Sequence, residues 1–275
     1  MASTLISAEK GLRRTLDSLL AALTLGVRQT AAGWQILAGR CLYFVLLMVV
    51  ISALWDKVAA DQVAGAVRLP GDLALYVGAT EWITLSIPAF HSWLEGDIRG
   101  GHLEPSLLRP KAYFPLTLAQ AYGGALVRLG ALGVTGLVML AVSGRPWPPV
   151  EGFAYLLALG PGGLAVGLLL YALAGLAAFW TRRVLPFQLV IQKLMFLLGG
   201  LFAPVTLYPA WLSDLSQGTP FAAHLYWAGR QMFEPSLHTF LEGLVWQGVW
   251  IGLLSMTCTG LWGAGEAKVL REGGV

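Results

Sequence analysis

The side chains able to do chemistry in this 275-residue chain are few and scattered. Its four histidines, His91, His102, His224 and His238, stand apart, and no His-Glu-x-x-His pair exists to hold zinc on one helix face. Cys41 and Cys258 each lie inside an apolar run, which leaves neither a disulfide framework nor a metal cluster. The loop that cradles ATP phosphates, Gly-x-x-x-x-Gly-Lys-Ser/Thr, is absent, and Ser143-Gly144 lacks the paired glycines of a nucleophile elbow. These absences predict a chain without catalytic residues, metal or cofactor of its own. What remains is charge placed where it is costly. Glu81, Arg128 and Lys193 fall inside apolar stretches, and Lys193 shares roughly one helical face with Gln188 and Gln192. Either Glu81 and Arg128 pair between neighbouring helices, or some of these five side chains line a polar translocation path.

Two less apolar segments carry further signals. Residues 95–110 mix both signs of charge with a few apolar side chains between Gly and Pro. That pattern predicts a short amphipathic helix on a tether, suited to docking into a groove of a soluble partner; an ordinary solvated connection is the plainer reading. Residues 202–233 are too apolar for a free loop and too often interrupted by proline to span a bilayer. Short helices dipping into the outer leaflet reconcile the two, with Trp211, Tyr226 and Trp227 at the interface.

The elements that must position these residues follow from composition. Hydrophobic residues make up 56% of the chain and charged residues 12%, with a mean hydropathy of +0.67. A soluble domain carries about 25% charged residues, so the solvent for most of this chain is lipid. The formal charge of +3 is too small to imply a nucleic-acid partner. Six stretches satisfy the roughly 20 apolar residues a spanning helix needs: 36–55, 73–93, 114–142, 153–180, 185–207 and 240–262. With the N-terminus taken as cytoplasmic, twelve Lys and Arg fall in inner segments and four in outer ones, which places both termini inside. Within residues 1–34, Leu12, Leu16, Leu19 and Leu23 recur at helical spacing while Asp17 and Ser18 interrupt the apolar run. An interfacial helix fits better than a cleaved signal. No internal repeat stands out, and one domain over 1–275 is predicted.

On these residues the chain resembles the type-2 ATP-binding-cassette (ABC) exporter permeases, in the six-span bacterial branch of poorly characterised ABC transport systems. The resemblance rests on Asp97-Ile98-Arg99-Gly100-Gly101 to Leu107-Leu108-Arg109-Pro110, on Gly199-Gly200-Leu201-Phe202-Ala203-Pro204 to Tyr208-Pro209-Ala210-Trp211-Leu212, and on Pro220-Phe221 with Tyr226-Trp227. It implies an all-α polytopic membrane protein: six transmembrane helices, an N-terminal interfacial helix over 1–34, a cytoplasmic coupling helix within 94–112, and outer re-entrant helices within 204–236. It further implies a non-catalytic permease subunit of the bacterial cytoplasmic membrane, in contact with membrane lipids. That subunit pairs with a second permease as homo- or heterodimer and is driven by two ABC ATPase subunits that bind the ATP and Mg. Glu95, Asp97, Ile98, Arg99, His102, Leu103 and Glu104 would then meet the ATPase. Pro204, Tyr208, Trp211 and Phe221 would form the outer gate, and export of a hydrophobic or amphipathic substrate would be the function. The rival expectation is a secondary transporter driven by an ion gradient, which needs membrane-embedded carboxylates and has only Glu81 to offer.

Overall fold

The computed structural model describes residues 2–62, 72–100 and 113–272, and every regular element among them is helical. In chain order they are α1 (Ala2–Ala32), α2 (Trp34–Gln62), α3 (Leu73–Ser86), α4 (Phe90–Arg99), α5 (Tyr113–Ser143), α6 (Val150–Leu176, prolonged by a 3₁₀ turn at Ala177–Phe179) and α7 (Leu185–Leu198). A 3₁₀ turn at Val205–Leu207 leads to three short helices, α8 (Ala210–Gln217), α9 (Pro220–His224) and α10 (Tyr226–Arg230), and the long α11 (Leu237–Glu272) follows. Five stretches are long and apolar enough to cross a membrane: Trp34–Val58, Leu73–Arg99, Tyr113–Ser143, Val150–Phe179 and Leu237–Arg271.

The segment expected as a span over 185–207 differs from that expectation. Its helix, α7, has 14 residues, a rise of about 21 Å where hydrocarbon is about 30 Å thick. Gly200 adopts φ +66, a left-handed conformation that stops a helix at little steric cost, and Pro186 occupies the first turn. The stretch expected over 73–93 is also divided. Pro88 lacks an amide hydrogen and drives Ile87 to extended backbone (ψ 131), so α3 and α4 are separate rods. Arg40 of α2 answers the break: its Nη1 donates to the freed carbonyls of Leu85 (2.7 Å) and Ile87 (3.4 Å), placing a cation at a helix C-terminus.

The core forms around α6 and α3–α4, which are mostly buried, whereas less than a quarter of the apolar window of each of α2, α5 and α11 is buried. Glycine permits the close approaches. Trp82 of α3 sits in a slot between Gly133 of α5 and Gly160 of α6; a Cβ at Gly160 would stand 2.7 Å from the indole. The indole N–H donates to Leu129 O at 2.6 Å, which satisfies the buried donor. The helix α1 runs along α5 with backbones nearly touching, since a Cβ on Gly26 would lie 1.8 Å from Gln120 O and one on Gly123 2.1 Å from Leu23 O. At the far end Arg145 binds Asp56 of α2 and Asp72, both at 2.7 Å. Asp72 is itself the N-cap of α3, accepting from Ala74 N at 2.9 Å. Burial disfavours the charged guanidinium, but its hydrogen bonds to the two carboxylates and their charges outweigh it and hold the Arg145 pKa above its ordinary value.

Candidate functional site

The helix α4 is amphipathic because Phe90, Leu94 and Ile98 recur every four residues, and all three are buried. They press against the last turns of α6, where Gly175 leaves room for the backbone of His91 and the Cβ of Leu94. The polar face of α4 is tied to three other elements. Glu95 accepts from Val184 N (3.1 Å) at the start of α7 and lies 3.7 Å from Arg99; Arg99 donates to Thr181 O; Asp97 accepts from the Tyr113 hydroxyl of α5. Lys268 of α11 donates to Phe179 O (2.9 Å), so the ends of α4, α5, α6, α7 and α11 meet in one polar knot. Of the residues expected to face a partner, Ile98 is therefore turned into the core, whereas Glu95, Asp97 and Arg99 hold the end of the bundle together with Arg99 still exposed. His102, Leu103 and Glu104 lie outside the described residues.

The charges within the apolar stretches do not pair as the sequence allowed. Glu81 is 5% exposed and, among the described residues, meets neither an ion-pair nor a hydrogen-bond partner. Arg128 has its Nη1 buried without a hydrogen-bond partner among the described residues, and the charge acting on it is another cation, Arg40. On α7, Gln188 donates to Gln192 at 3.4 Å, and Lys193 is exposed with its ammonium 5.8 Å from the Phe196 ring. Only Met195 of α7 is fully buried; Phe187, Leu189, Val190 and Leu197 are exposed beside the glutamines.

The expected outer region consists of short helices anchored on α3 and α6. Tyr76 donates to Gly200 O (2.5 Å) and Thr80 to Leu201 O (2.7 Å), which fixes the turn that ends α7. His224 Nδ1 lies 2.8 Å from Gly163 O, and a carbonyl can only accept, so Nδ1 carries the hydrogen and Nε2 is buried without a partner among the described residues. Burial first, opposed by that hydrogen bond, brings the His224 pKa down to about 4. Gln247 of α11 joins Leu159 O (2.9 Å) to Ala223 O (3.2 Å). Among the expected gate residues, Pro204 is buried, Tyr208 and Phe221 are half-buried, and Trp211 is 70% exposed.

An apolar cavity of about 490 Å³ opens between α2, α3, α5 and α6, lined by Phe44, Met48, Trp82, Leu129, Leu156 and Met232 with Arg145 at one end. Its volume falls within the roughly 300–1,000 Å³ of small-molecule sites. Two further features escaped the sequence reading. Arg40 has nothing beside it in sequence to mark its role, although Pro88 in the neighbouring segment signals that a helix break needs a donor. Asp56, Asp72 and Arg145 are too far apart in sequence to announce a clamp. No protein-family model matches the chain, and a search of curated proteins finds no relative.

Proposed function

We propose that the chain is the transmembrane permease subunit of an ABC transporter of the bacterial cytoplasmic membrane, exporting a hydrophobic or amphipathic substrate and driven by two separate ATPase subunits. Both termini and the α4 end face the cytoplasm, α7 with the segment to Leu207 completes the sixth crossing, α1 borders the inner interface, and α8–α10 close the route from outside as re-entrant helices. A second permease, like or unlike, completes the path against the glutamine-bearing face of α7.

The observation that carries this reading is the knot at α4. A short rigid helix, freed from α3 by Pro88 and tied to α5 and α7 through Asp97, Glu95 and Arg99, passes a push on the adjoining segment 101–112 to several helices at once. Each helix then moves as a stiff body, because backbone hydrogen bonds in lipid stay satisfied only within intact helices. The apolar cavity supports a hydrophobic or amphipathic cargo. Purifying the complex from native membranes and recovering a phosphate-loop ATPase is the first test. Glu95→Ala with Arg99→Ala should leave that ATPase bound while transport per ATP falls at least about fivefold, the lower range of a coupling free energy between sites. Substrate movement by the isolated chain, or full transport by the double variant, would reject the reading.

A second reading, ion-gradient-driven transport, draws support from one observation, the buried Glu81, which has no partner among the described residues. It requires proton-coupled uptake into vesicles holding this chain alone, abolished by Glu81→Gln.

A further inference from the structure

A second, smaller cleft of about 240 Å³ lies where α1 meets α2, beside the break between α3 and α4 and against α5. Its walls carry Gln29, Thr30, Pro88, Trp93, Gln120 and Arg128. Gln120 donates to Gln29 Oε1 at 2.7 Å, which leaves the Gln29 amide hydrogens unused by that bond. The Thr30 hydroxyl makes no bond back to its own helix, unlike Thr15 and Thr24 of the same helix, and has no partner among the described residues.

The electrostatics of this cleft are incomplete. Arg128 and Arg40 are both cationic and act on one another, yet neither forms an ion pair with a carboxylate among the described residues. Arg40 spends Nη1 on the carbonyls of Leu85 and Ile87; Arg128 leaves a buried Nη1 with no acceptor among the described residues. Unpaired cations at membrane depth are costly and ordinarily face an opposite charge or water. A guanidinium fork matches the oxygens of a phosphate, and an amide and a hydroxyl beside it add donors. The volume is below the roughly 300 Å³ at which drug-sized ligands begin, so it suits a phosphate and its first ester atoms rather than a whole molecule. The rim is apolar and open: Ile36, which lines the cleft, is 72% exposed, and Trp34 nearby is 64% exposed. A soluble anion gains nothing from such a rim, whereas acyl chains lie along it.

We infer that this cleft is a binding site for an anionic phospholipid, its phosphate held by Arg128 with Gln29 and Thr30 and its acyl chains lying outside over Ile36. The inference rests on the proposed function only for which leaflet supplies the lipid, the one on the α4 side. Arg128 is a binding residue in this account, and Arg40 a positioning residue that raises the local positive potential.

The test is native mass spectrometry of the full chain released from nanodiscs of phosphatidylcholine containing one-fifth phosphatidylglycerol, with helix content and thermal unfolding followed in parallel. Wild type should retain phosphatidylglycerol in preference to phosphatidylcholine, Arg128→Gln should lose about tenfold in retention, and Arg128→Lys should fall between. Gly33→Leu fills the cleft from a wall where a Cβ meets only ordinary contacts at 3.6 Å or more, and it should also expel the lipid with both arginines in place. Inorganic phosphate or glycerol phosphate added to phosphatidylcholine discs should not bind comparably. Equal phosphatidylglycerol retention by wild type, Arg128→Gln and Gly33→Leu would overturn the site. So would saturation by free phosphate at the affinity of the lipid. Neither result bears on whether an ATPase co-purifies, so the failure of this inference stays separate from failure of the transport reading.

Discussion

Adding one methyl group to the crossing of α1 and α5 tests how this fold is held. A Cβ on Gly123 would stand 2.1 Å from Leu23 O and 2.9 Å from Leu23 C, and one on Gly26 would stand 1.8 Å from Gln120 O. These obstacles are backbone atoms, so no side-chain rotation relieves them. Restoring ordinary contact at about 3.4 Å requires the helices to separate by about 1.3 Å for Gly123→Ala and about 1.6 Å for Gly26→Ala. Overpacking of this kind costs about 1–3 kcal/mol, and separation also forfeits contacts along the rest of the crossing. The magnitude is opposed by helix propensity, since Ala in a helix interior is favoured over Gly by up to about 1 kcal/mol. Gly39→Ala isolates that opposing term, because nothing lies within 4 Å of its Cβ.

The assay is thermal unfolding in mild detergent followed by helical circular dichroism, paired with trapping by a short bifunctional thiol cross-linker between cysteines placed at Gln29 and Gln120, whose side-chain amides meet at 2.7 Å. The native Cys41 and Cys258 are first replaced by alanine. Gly26→Ala and Gly123→Ala should each destabilise by about 2 kcal/mol and slow the trapping, while Gly39→Ala should be neutral or mildly stabilising. If Gly26→Ala and Gly123→Ala unfold like Gly39→Ala and trap at the wild-type rate, the close crossing is wrong.

Two other predictions use the far end of the bundle. The His224 imidazole is neutral and its pKa is drawn below the ordinary 6.5 to about 4, so the folded state resists protonation. Its stabilising contribution is complete above pH 6.5 and is lost as pH falls toward 4, approaching roughly 3 kcal/mol; His224→Leu should flatten that part of the pH profile of unfolding, and identical profiles would contradict it. Arg145→Ala leaves Asp56 and Asp72 without their shared donor and should cost about 2 kcal/mol in thermal unfolding. Arg145→Lys, which cannot hold both carboxylates in a planar fork, should recover less than half.

Hydropathy made much of the architecture readable because lipid enforces it: the stretches read as 36–55, 114–142 and 240–262 reappear within longer helices, α2, α5 and α11, while 153–180 matches α6 and its 3₁₀ turn, which begin earlier, at Val150, and end at Phe179. Exact helix limits were less legible, since polar and glycine residues extend a helix as readily as apolar ones. The break at Pro88 was visible as a proline within an apolar run, but its consequence, a separate α4 with Ile98 inside, depended on where the next helices put Gly175. Residues 185–207 read as one span on apolar count alone; the positive φ at Gly200, not hydropathy, ends the helix at Leu198. Glu81 and Arg128 invited pairing because each needs a counter-charge. Register decided otherwise, setting Arg128 under the influence of Arg40, with neither paired to a carboxylate among the described residues. With 34 glycines in the chain, nothing local marked Gly26 and Gly123 as the two that let backbones meet.

The exposed faces are not equivalent, and their differences say what must cover them. On α2, Leu42, Leu46, Val49 and Val50 form an apolar stripe at helical spacing, and on α5 Val134, Leu137 and Val138 do the same. Lipid tails satisfy such stripes without help. On α7 the exposed Phe187, Leu189, Val190 and Leu197 are interleaved with half-buried Gln188 and Gln192 and exposed Lys193. Hydrocarbon offers those amides and that ammonium no hydrogen-bond partner, and water offers the four apolar side chains no gain. A surface of mixed chemistry on a helix too short to span is relieved best by another protein surface bordering water. That is why α7, rather than the more apolar α2 or α5, is the face on which the proposed second permease belongs.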